Sequence, residues 1–276
     1  MNRDIENFLA SHPFAETTRV HYRYVLSKLI ELDVSQLDAA GLLAFVNKPE
    51  WGSSQRYTAL CSCRKFISWL FGVTHPALSA RVKQAKPKKQ RVLSADKALE
   101  LLASFDTLSA PGARDLAIVA LALDTGLRCS ELCRLQLSDV DLEHRVLQVI
   151  VKGGQWGTAV YSAETAQYIA QWLNFRKPAD GVGNLFVGFQ HQRLGRPLTR
   201  EGLQGMVKRW GLNIGIKLSP HDLRRSFATL STIFGAPSRV VQVGGRWSNI
   251  EMVERYTRDL NQDAITPYLP VTRLQK

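Results

Sequence analysis

The chain has 276 residues, of which 45% are hydrophobic and 22% charged, the composition of a soluble globular protein. It contains no run of about 18 apolar residues, and its acid-containing N-terminal stretch lacks an apolar core, so we expect no membrane partner, no secretory signal and a cytoplasmic location. The net charge of +12, divided as +7 over residues 1–94 and +5 over the remainder, favours nucleic acid as the partner, although charge alone leaves an inert basic surface open.

Residues 1–79 have the periodicity of helices throughout and predict an N-terminal helical domain. In TTRVHYRYVLSKLIEL a threonine is positioned to cap the helix, and an apolar stripe follows at helical spacing: Val20, Tyr24, Val25, Leu26 and Leu29. AAGLLAFVNK and SSQRYTALCSCRKFISWLFGV continue the pattern, with Ser53 or Ser54 as the cap of the last helix. We expect Arg56, Arg64 and Lys65 on the outer face of that helix, where contact with DNA and plain solvation are both open.

The segment 80–93 has the composition of an extended, positively charged linker. Between 81 and 91 it contains one proline, no acid and six basic residues: Arg81, Lys83, Lys86, Lys88, Lys89 and Arg91. Such a linker lying along a polyanion would release counterions and add affinity, whereas a plain tether would not. We therefore list its cations from Lys83 onward as candidate DNA-binding residues, and we expect a domain boundary here.

From Ser94 a second domain is predicted over 94–276. SADKALELLASF is a capped helix, GARDLAIVALALDTG a largely buried helix that ends at Gly126, and RVLQVIVKGGQWGTAVYS an antiparallel hairpin with Lys152 at the end of its first strand. Helices resume after the hairpin, apart from a loop over 180–198 with a short strand at NLFVG. The predicted fold class is mainly α with a small antiparallel β-sheet in the C-terminal domain (α+β).

The segment SPHDLRRSFAT places cations in the first turn of a helix. Ser219 suits the N-cap, Pro220 the first helical position and Asp222 the third, so the start of the helix is well specified. His221 and Arg224 then share one face beside free backbone N–H groups, an arrangement that suits an anion. A surface histidine and an arginine paired with a distant carboxylate remain equally open.

Two further segments carry candidate functional side chains. In DTGLRCSELCRLQLSDVD, Arg128 follows a helix-ending glycine, and Glu131 is placed to hold it by a bidentate bond. In GGRWSNIEMVERYTRDL, Tyr256 lies among arginines, which favour a phenolate and make it a candidate nucleophile. Each signal is weak alone.

The four cysteines lie in the segments CSC and CSELC, with spacings that differ from the two-residue gap of zinc knuckles. No histidine pair accompanies them. We therefore expect reduced, mostly buried thiols and no metal site.

Taken in order, Arg, Lys, His-x-x-Arg, Trp and Tyr resemble the catalytic domain of the tyrosine recombinases, the phage integrase and Xer/Cre family, over residues 94 to about 262. The segments that carry the resemblance are RDLAIVALALDTGLRCSELCRL, VIVKGGQW, SPHDLRRSFAT and VGGRWSNIEMVERYT, and Trp247 and Tyr256 are nine residues apart, as in the family. Residues 1–79 resemble the core-binding domain of the family, so the resemblance implies a two-domain clamp on double-stranded DNA.

The resemblance implies a role for each matched residue. Arg128 and Arg224 would hold the non-bridging oxygens of a scissile phosphate, and His221 and Trp247 would complete the cradle. Tyr256 would form a 3′-phosphotyrosine link, while Lys152 would protonate the departing 5′-oxygen. Such phosphoryl transfer needs no metal and no nucleotide cofactor, since the two arginines neutralise the growing charge and the adduct conserves the bond energy. Glu131 would support the site from behind.

Three departures from the family pattern are visible. Position 247 is tryptophan where much of the family has histidine, and the hairpin turn GGQWG leaves Lys152 as the hairpin's only lysine. VGGRW replaces the usual Leu-Gly-His lead-in, and we expect this change not to affect the chemistry. Arg225 is turned about 100° from Arg224 around the helix, which predicts a structural role or a contact with the DNA backbone.

The resemblance implies a site-specific recombinase that exchanges strands in a homotetramer. Ile265, Tyr268 and Leu269 of the tail would dock on a neighbouring copy. Only 16 residues precede TTRVHYRYVL, from which we expect action on a short core site without an arm-binding domain. Two alternatives stay open: a type IB topoisomerase that relaxes supercoils, and a non-catalytic architectural DNA-binding protein.

Overall fold

The computed structural model describes residues 2–83, 90–151, 154–190 and 193–257, which fall into two compact units, Met1–Lys88 and Lys89–Lys276. The boundary between the units lies inside the segment 80–93. The elements in chain order are α1 (Asn2–Ala10), α2 (Glu16–Leu29), α3 (Ala39–Val46), α4 (Ser53–Phe71), α5 (Ala95–Ala103), α6 (Ala110–Thr125), α7 (Cys129–Arg134), β1 (Val140–Asp141), β2 (Val146–Ile150), β3 (Trp156–Val160), α8 (Ala163–Phe175), α9 (Arg200–Asn213), α10 (Pro220–Ile233), α11 (Ser238–Gly244) and α12 (Glu251–Thr257). The predicted fold class, mainly α with one small antiparallel sheet, is confirmed.

The first unit is a bundle of four helices, in which α1, α2 and α3 each pack against α4. Its core is aromatic at one end: Phe8 is fully buried, and its ring contacts those of Tyr22 and Phe66 with centroids 5.3 and 5.4 Å apart. Leu26 and Leu42, each 0% exposed, continue the core. None of the helices in the described ranges is long and apolar enough to span a lipid bilayer.

The second unit is organised around α6, whose central residues are buried on all sides because they are alanine, leucine, isoleucine and valine throughout. This helix packs against α8 and α10. The sheet has the order β1-β2-β3 with antiparallel pairing, and the register places Val149 opposite Gly157 and Ile150 opposite Trp156. A separate cluster of apolar residues holds α11 and α12 against α10, and it includes Phe227, Trp247 and Tyr256.

Several helix starts are capped as predicted, and two are not. Ser94 caps α5 by accepting a hydrogen bond from Lys97 N at 3.3 Å. By contrast, Ala15 takes the N-cap position of α2, and Gly52 takes that of α4. The threonine and serine caps predicted there are wrong, because each helix begins before the first side chain that could cap it.

The apolar stripe of α2 also differs from the prediction. Val25, Leu26 and Leu29 are buried, but Val20 and Tyr24 are 57% and 52% exposed. The strand predicted at 184–188 is wrong as well, since these residues form isolated bridges, such as Gln136 with Asn184. Pairing partners that come from distant loops cannot be read from the local pattern.

Candidate active site

The turn between α6 and α7 presents Arg128. Gly126 ends α6 in the left-handed region, with φ of 59°, a conformation that favours glycine. A Cβ at this position would also lie 2.6 Å from the Phe227 ring, so there is no space for a larger residue. Arg128 then takes the N-cap position of α7. The buried Glu131 carboxylate accepts one bond from Arg128 Nη1 at 2.6 Å and one from Arg128 N at 2.8 Å. Glu131 therefore binds the guanidinium once and the backbone N–H once, whereas the sequence predicted a bidentate bond to the guanidinium.

The first turn of α10 is organised by a buried carboxylate. Asp222 is 1% exposed and accepts bonds from Ser219 N at 2.9 Å and Ser219 Oγ at 2.7 Å. Arg225 Nη1 donates to the other oxygen at 3.0 Å, and Arg91 pairs with the same carboxylate at 3.2 Å. Arg225 thus has the structural role predicted for it, and the same turn leaves His221 exposed beside the cleft described below.

Arg224 lies on the opposite side of that turn and is 2% exposed. Its Nη1 donates to Gly126 O, and its Nη2 donates to Gly245 O at 2.7 Å. The guanidinium carbon lies 4.4 Å from the centre of the Trp247 ring. These contacts fix the guanidinium between the turn that precedes Arg128 and the turn that precedes Trp247.

Aromatic contacts complete the cluster. The Trp247 ring stacks on Phe227 with centroids 6.0 Å apart and contacts Tyr256 at 5.6 Å. The Tyr256 ring meets the edge of His221 at 6.2 Å, and Thr229 Oγ1 donates to Tyr256 O at 2.9 Å, which ties α12 to α10. Tyr256 is 6% exposed, so the phenol is sheltered in this structure.

The cationic surroundings change the pKa values of two site residues. Partial burial of the ring, with added repulsion from Arg225 and Arg224, lowers the pKa of His221 below its ordinary value of 6.5. Burial, with repulsion from Arg128, lowers the pKa of Arg224 to about 10. Both shifts have the sign expected where cationic groups are desolvated and lie close to one another.

A cleft of about 680 Å³ opens beside these residues, and Arg128, His221 and Arg224 line one wall. The other wall is the exposed face of α9, with Arg200, Gln204 and Lys208. Sequence reasoning missed these three, although a basic or amide side chain at every fourth position of an amphipathic helix is a visible signal.

Arg246 is a second residue that sequence reasoning missed. The VGGRW lead-in was expected not to affect the chemistry, yet the Arg246 side chain reaches Thr125 O with Nη2 at 2.9 Å. The field of Arg246 also contributes to the lowered pKa of Arg224. The lead-in therefore takes part in the architecture of the cluster.

The remaining predicted residues are placed as follows. Lys152, Lys86, Lys88 and Lys89 lie outside the described residues, as do the tail residues Ile265, Tyr268 and Leu269. Lys83 is exposed, and Lys65 is exposed with its Nζ 4.6 Å from the centre of the Phe14 ring. In the described part of the chain no three His, Cys, Asp or Glu side chains are grouped as metal ligands.

Two predicted DNA-binding arginines of α4 do not project freely from the outer face. Arg56 is half-buried and donates to Trp51 O at 2.8 Å and to Lys48 O at 3.3 Å. Arg64 is half-buried too, with its Nε shielded from solvent. The expected outer-face position is wrong for Arg56, because its side chain folds back onto these two carbonyls, and the DNA contact expected of both arginines stays a prediction.

The chain is similar in sequence to a known family and to several of its members. Residues 91–263 match the profile of the Phage integrase family. The chain is 30% identical over 273 residues to tyrosine recombinase XerC of Xanthomonas campestris pv. campestris, which covers 92% of this chain and 83% of that protein. It is 31% identical over 231 residues to tyrosine recombinase XerD of Listeria innocua serovar 6a, with 80% and 76% covered.

Solved structures agree on the fold. The Tn1549 transposon integrase in complex with a circular intermediate DNA matches with a TM-score of 0.77 over 98% of both chains, at 17% identity. XerH bound to a palindromic difH substrate matches with a TM-score of 0.74 over 93% of this chain and 80% of that one, at 18% identity. The family profile, the relatives and the clustered Arg128, His221, Arg224, Trp247 and Tyr256 lead to one conclusion: this chain belongs to the phage integrase family of tyrosine recombinases.

Proposed function

We propose that this protein cleaves and rejoins double-stranded DNA through a 3′-phosphotyrosine intermediate, with Tyr256 as the nucleophile. The observation that carries the proposal is the convergence of three segments of the chain: the turn before Arg128, the start of α10, and the segment from Trp247 to Tyr256. Arg224 lies 4.4 Å from the Trp247 ring, Trp247 lies 5.6 Å from Tyr256, and His221 lies 6.2 Å from Tyr256. Positioned cations beside a sheltered nucleophile suit phosphoryl transfer, which depends on orientation and charge stabilisation.

In this proposal Arg128 and Arg224 hold the non-bridging oxygens of the scissile phosphate. A guanidinium has five N–H donors, and the two bonds from Arg224 to main-chain carbonyls leave three donors for an anion. Arg128 donates from Nη1 to Glu131 and lines the cleft, so its other nitrogens would bind the phosphate. The Trp247 indole N–H would supply a further donor.

The chemical step forms a bond between Tyr256 Oη and phosphorus and breaks the bond from phosphorus to the 5′-oxygen. Because its pKa is lowered, His221 is neutral at pH 7 and has a ring nitrogen that can accept the phenol proton. Lys152 would donate a proton to the departing 5′-oxygen. Attack by a 5′-hydroxyl of a second duplex reverses the step and completes strand exchange.

Both units would contact DNA. In the second unit, the α9 face with Arg200, Gln204 and Lys208 provides cations for phosphates and an amide for a base edge. In the first unit and the linker, exposed Lys65 and Lys83 would add phosphate contacts, together with Lys86, Lys88 and Lys89. Arg91 is a weaker candidate, since it already pairs with Asp222.

The decisive test is a covalent protein–DNA band on a denaturing gel. Duplexes bound by Tyr256→Phe, which cannot form the adduct, are enriched from a random-sequence library and resynthesised with a nick beside the cleavage position. The wild type should form a band with this nicked duplex, and Tyr256→Phe should form none. No band with the wild type would overturn the proposal, and a band without strand exchange between two duplexes would favour a topoisomerase.

We further propose that strand exchange occurs in a homotetramer. Four apolar side chains at the end of α10 and along α11 are more than half exposed: Ile233, Phe234, Val240 and Val243. This patch suits the apolar tail residues Ile265, Tyr268 and Leu269 of a neighbouring copy. Phe234→Glu should abolish the tetramer on DNA in light scattering while keeping adduct formation, whereas Leu108→Glu, a control at an 87% exposed leucine, should keep both. Equal assembly of the two variants would contradict the proposal.

A further inference from the structure

Arg246 has a backbone conformation that favours glycine. In the described part of the chain two residues other than glycine have positive φ, Arg145 at 56° and Arg246 at 54°. A side chain in this region is unfavourable relative to glycine, and such strain persists where surrounding contacts maintain it. The contacts of Arg246 therefore need an explanation.

The Arg246 guanidinium joins two turns of the active site. Its Nη2 donates to Thr125 O at 2.9 Å and its Nη1 donates to Gly244 O at 2.7 Å. Arg224 makes the matching pair of bonds one residue further along each turn, to Gly126 O and Gly245 O. Each guanidinium thus joins one carbonyl of the first turn to one carbonyl of the second. Arg246 joins Thr125 to Gly244, and Arg224 joins the next residues, Gly126 and Gly245.

These two turns carry the residues proposed for cleavage. The first runs from Thr125 into Arg128, and the second runs from Gly244 into Trp247 and onward to Tyr256. Fixing one turn against the other fixes the position of the phosphate-binding arginine relative to the nucleophile. A displacement of about 1 Å between such groups is enough to lower a catalysed rate about 100-fold.

The stem of Arg246 also supports the hairpin. A Cβ at Gly157 would lie 3.2 Å from Arg246 Cδ and 3.2 Å from Val151 Cγ1, so the glycine leaves the space that the arginine stem occupies. Val151 directly precedes Lys152. The same side chain therefore lies against both cleavage turns and close to Gly157 of β3, the strand that pairs with the strand preceding the proposed general acid.

Charge gives an independent indication. Arg128, Arg224 and Arg246 lie near one carboxylate, Glu131, which already pairs with Arg128. Within the described residues Arg246 forms no ion pair of its own, and burial lowers its pKa. A partly buried cation that shares one carboxylate with two other arginines is costly, and a bound anion would offset that cost.

We propose that Arg246 is a positioning residue for DNA cleavage, which with Arg224 fixes the Arg128 turn against the turn that leads to Trp247 and Tyr256. The inference rests on the proposed function. It adds a residue at a position where the family's usual lead-in offers no side chain for such contacts. It also explains why this chain maintains an arginine where a glycine would relieve the backbone.

The test compares Arg246→Gly with Arg145→Gly. Both replace an arginine at positive φ and so relieve the same backbone strain, but Arg145 lies on the surface at the hairpin. The readouts are the single-turnover rate of adduct formation at saturating nicked duplex, the Kd for that duplex and the melting temperature. Arg246→Lys is the second variant, because it keeps the charge but replaces the planar fork of the guanidinium with a single point donor that cannot hold two carbonyls in fixed positions.

We expect Arg246→Gly to lower the adduct rate about 100-fold and Arg246→Lys about 10-fold, with Kd changed less than about 3-fold in each. Arg145→Gly should keep the wild-type rate. A rise in Kd as large as the fall in rate, or a rate for Arg246→Gly equal to that of Arg145→Gly, would overturn the inference while leaving the proposed function intact. No adduct with the wild type would overturn both.

Discussion

Glu131→Gln changes the support of Arg128 while keeping its shape. The carboxylate accepts two bonds at once, from Arg128 Nη1 at 2.6 Å and from Arg128 N at 2.8 Å. A glutamine amide has one acceptor oxygen, so its NH₂ group must face one of the two donors. One charge-assisted bond at a buried position is then lost, at a cost of about 2 kcal/mol in the free energy of unfolding.

The cost should appear in calorimetry of the full chain, in the transition of the unit Lys89–Lys276. For a domain of this size about 2 kcal/mol corresponds to a melting temperature lower by roughly 4–8 °C. The rate of adduct formation should fall about 10- to 100-fold, because Arg128 is no longer held. DNA affinity should be equal or higher, since the site gains one unit of positive charge.

Glu100→Gln is the matched control. Glu100 accepts a bond from Lys97 at 2.6 Å, but its side chain is 49% exposed, so losing the pair should cost less than about 1 kcal/mol. The reasoning is refuted if Glu131→Gln has the melting temperature and the adduct rate of this control. It is also refuted if weakened DNA binding accounts for the whole loss of rate.

Three further outcomes are expected. The affinity for DNA should fall steeply with salt concentration. Arg200→Ala and Lys208→Ala should each reduce the slope of log Kd against log salt by about 1. A nearly flat wild-type response would contradict a clamp on phosphates. Adduct formation should be constant from pH 7 until the pKa of Arg224, lowered to about 10 by burial, is approached. In acid it should decline with a midpoint below 6.5, because the lowered pKa of His221 keeps its ring neutral until then, and a midpoint above 6.5 would contradict His221 as the proton acceptor. Arg224→Ala should lower the rate of adduct formation more than about 100-fold, and Arg225→Ala less than about 5-fold. Equal losses would contradict the different roles assigned to the two arginines.

Local signals in the sequence were sufficient for much of the catalytic unit. Gly126 as the end of α6, Ser219 and Pro220 as the start of α10, and the hairpin over 146–160 were all predicted, because each depends on backbone preferences within a few residues. The family pattern then added the order of the site residues. Glu131 was also predicted beside Arg128, since three residues on a helix bring them together.

What could not be predicted depends on contacts between distant residues. Arg56 folds back onto Trp51 O, and Arg246 reaches Thr125 O across 121 residues of sequence. Nothing in the neighbourhood of either arginine specifies those carbonyls. The path of a long, flexible side chain is decided by which unpaired acceptors the tertiary fold places within reach.

The bond between Arg91 and the buried Asp222 has a consequence for the length of DNA that one copy can cover. Asp222 adjoins His221, so the chain enters the second unit beside the cleavage site rather than at a remote edge. Ala80 is buried in the first unit, and the stretch of 11 residues from Ala80 to Arg91 can extend at most about 40 Å. At 3.4 Å per base pair that is roughly 12 base pairs. If both units bind one duplex as proposed, the linker sets an upper limit to the spacing of their contacts along it, and footprinting of the half-site can measure that spacing.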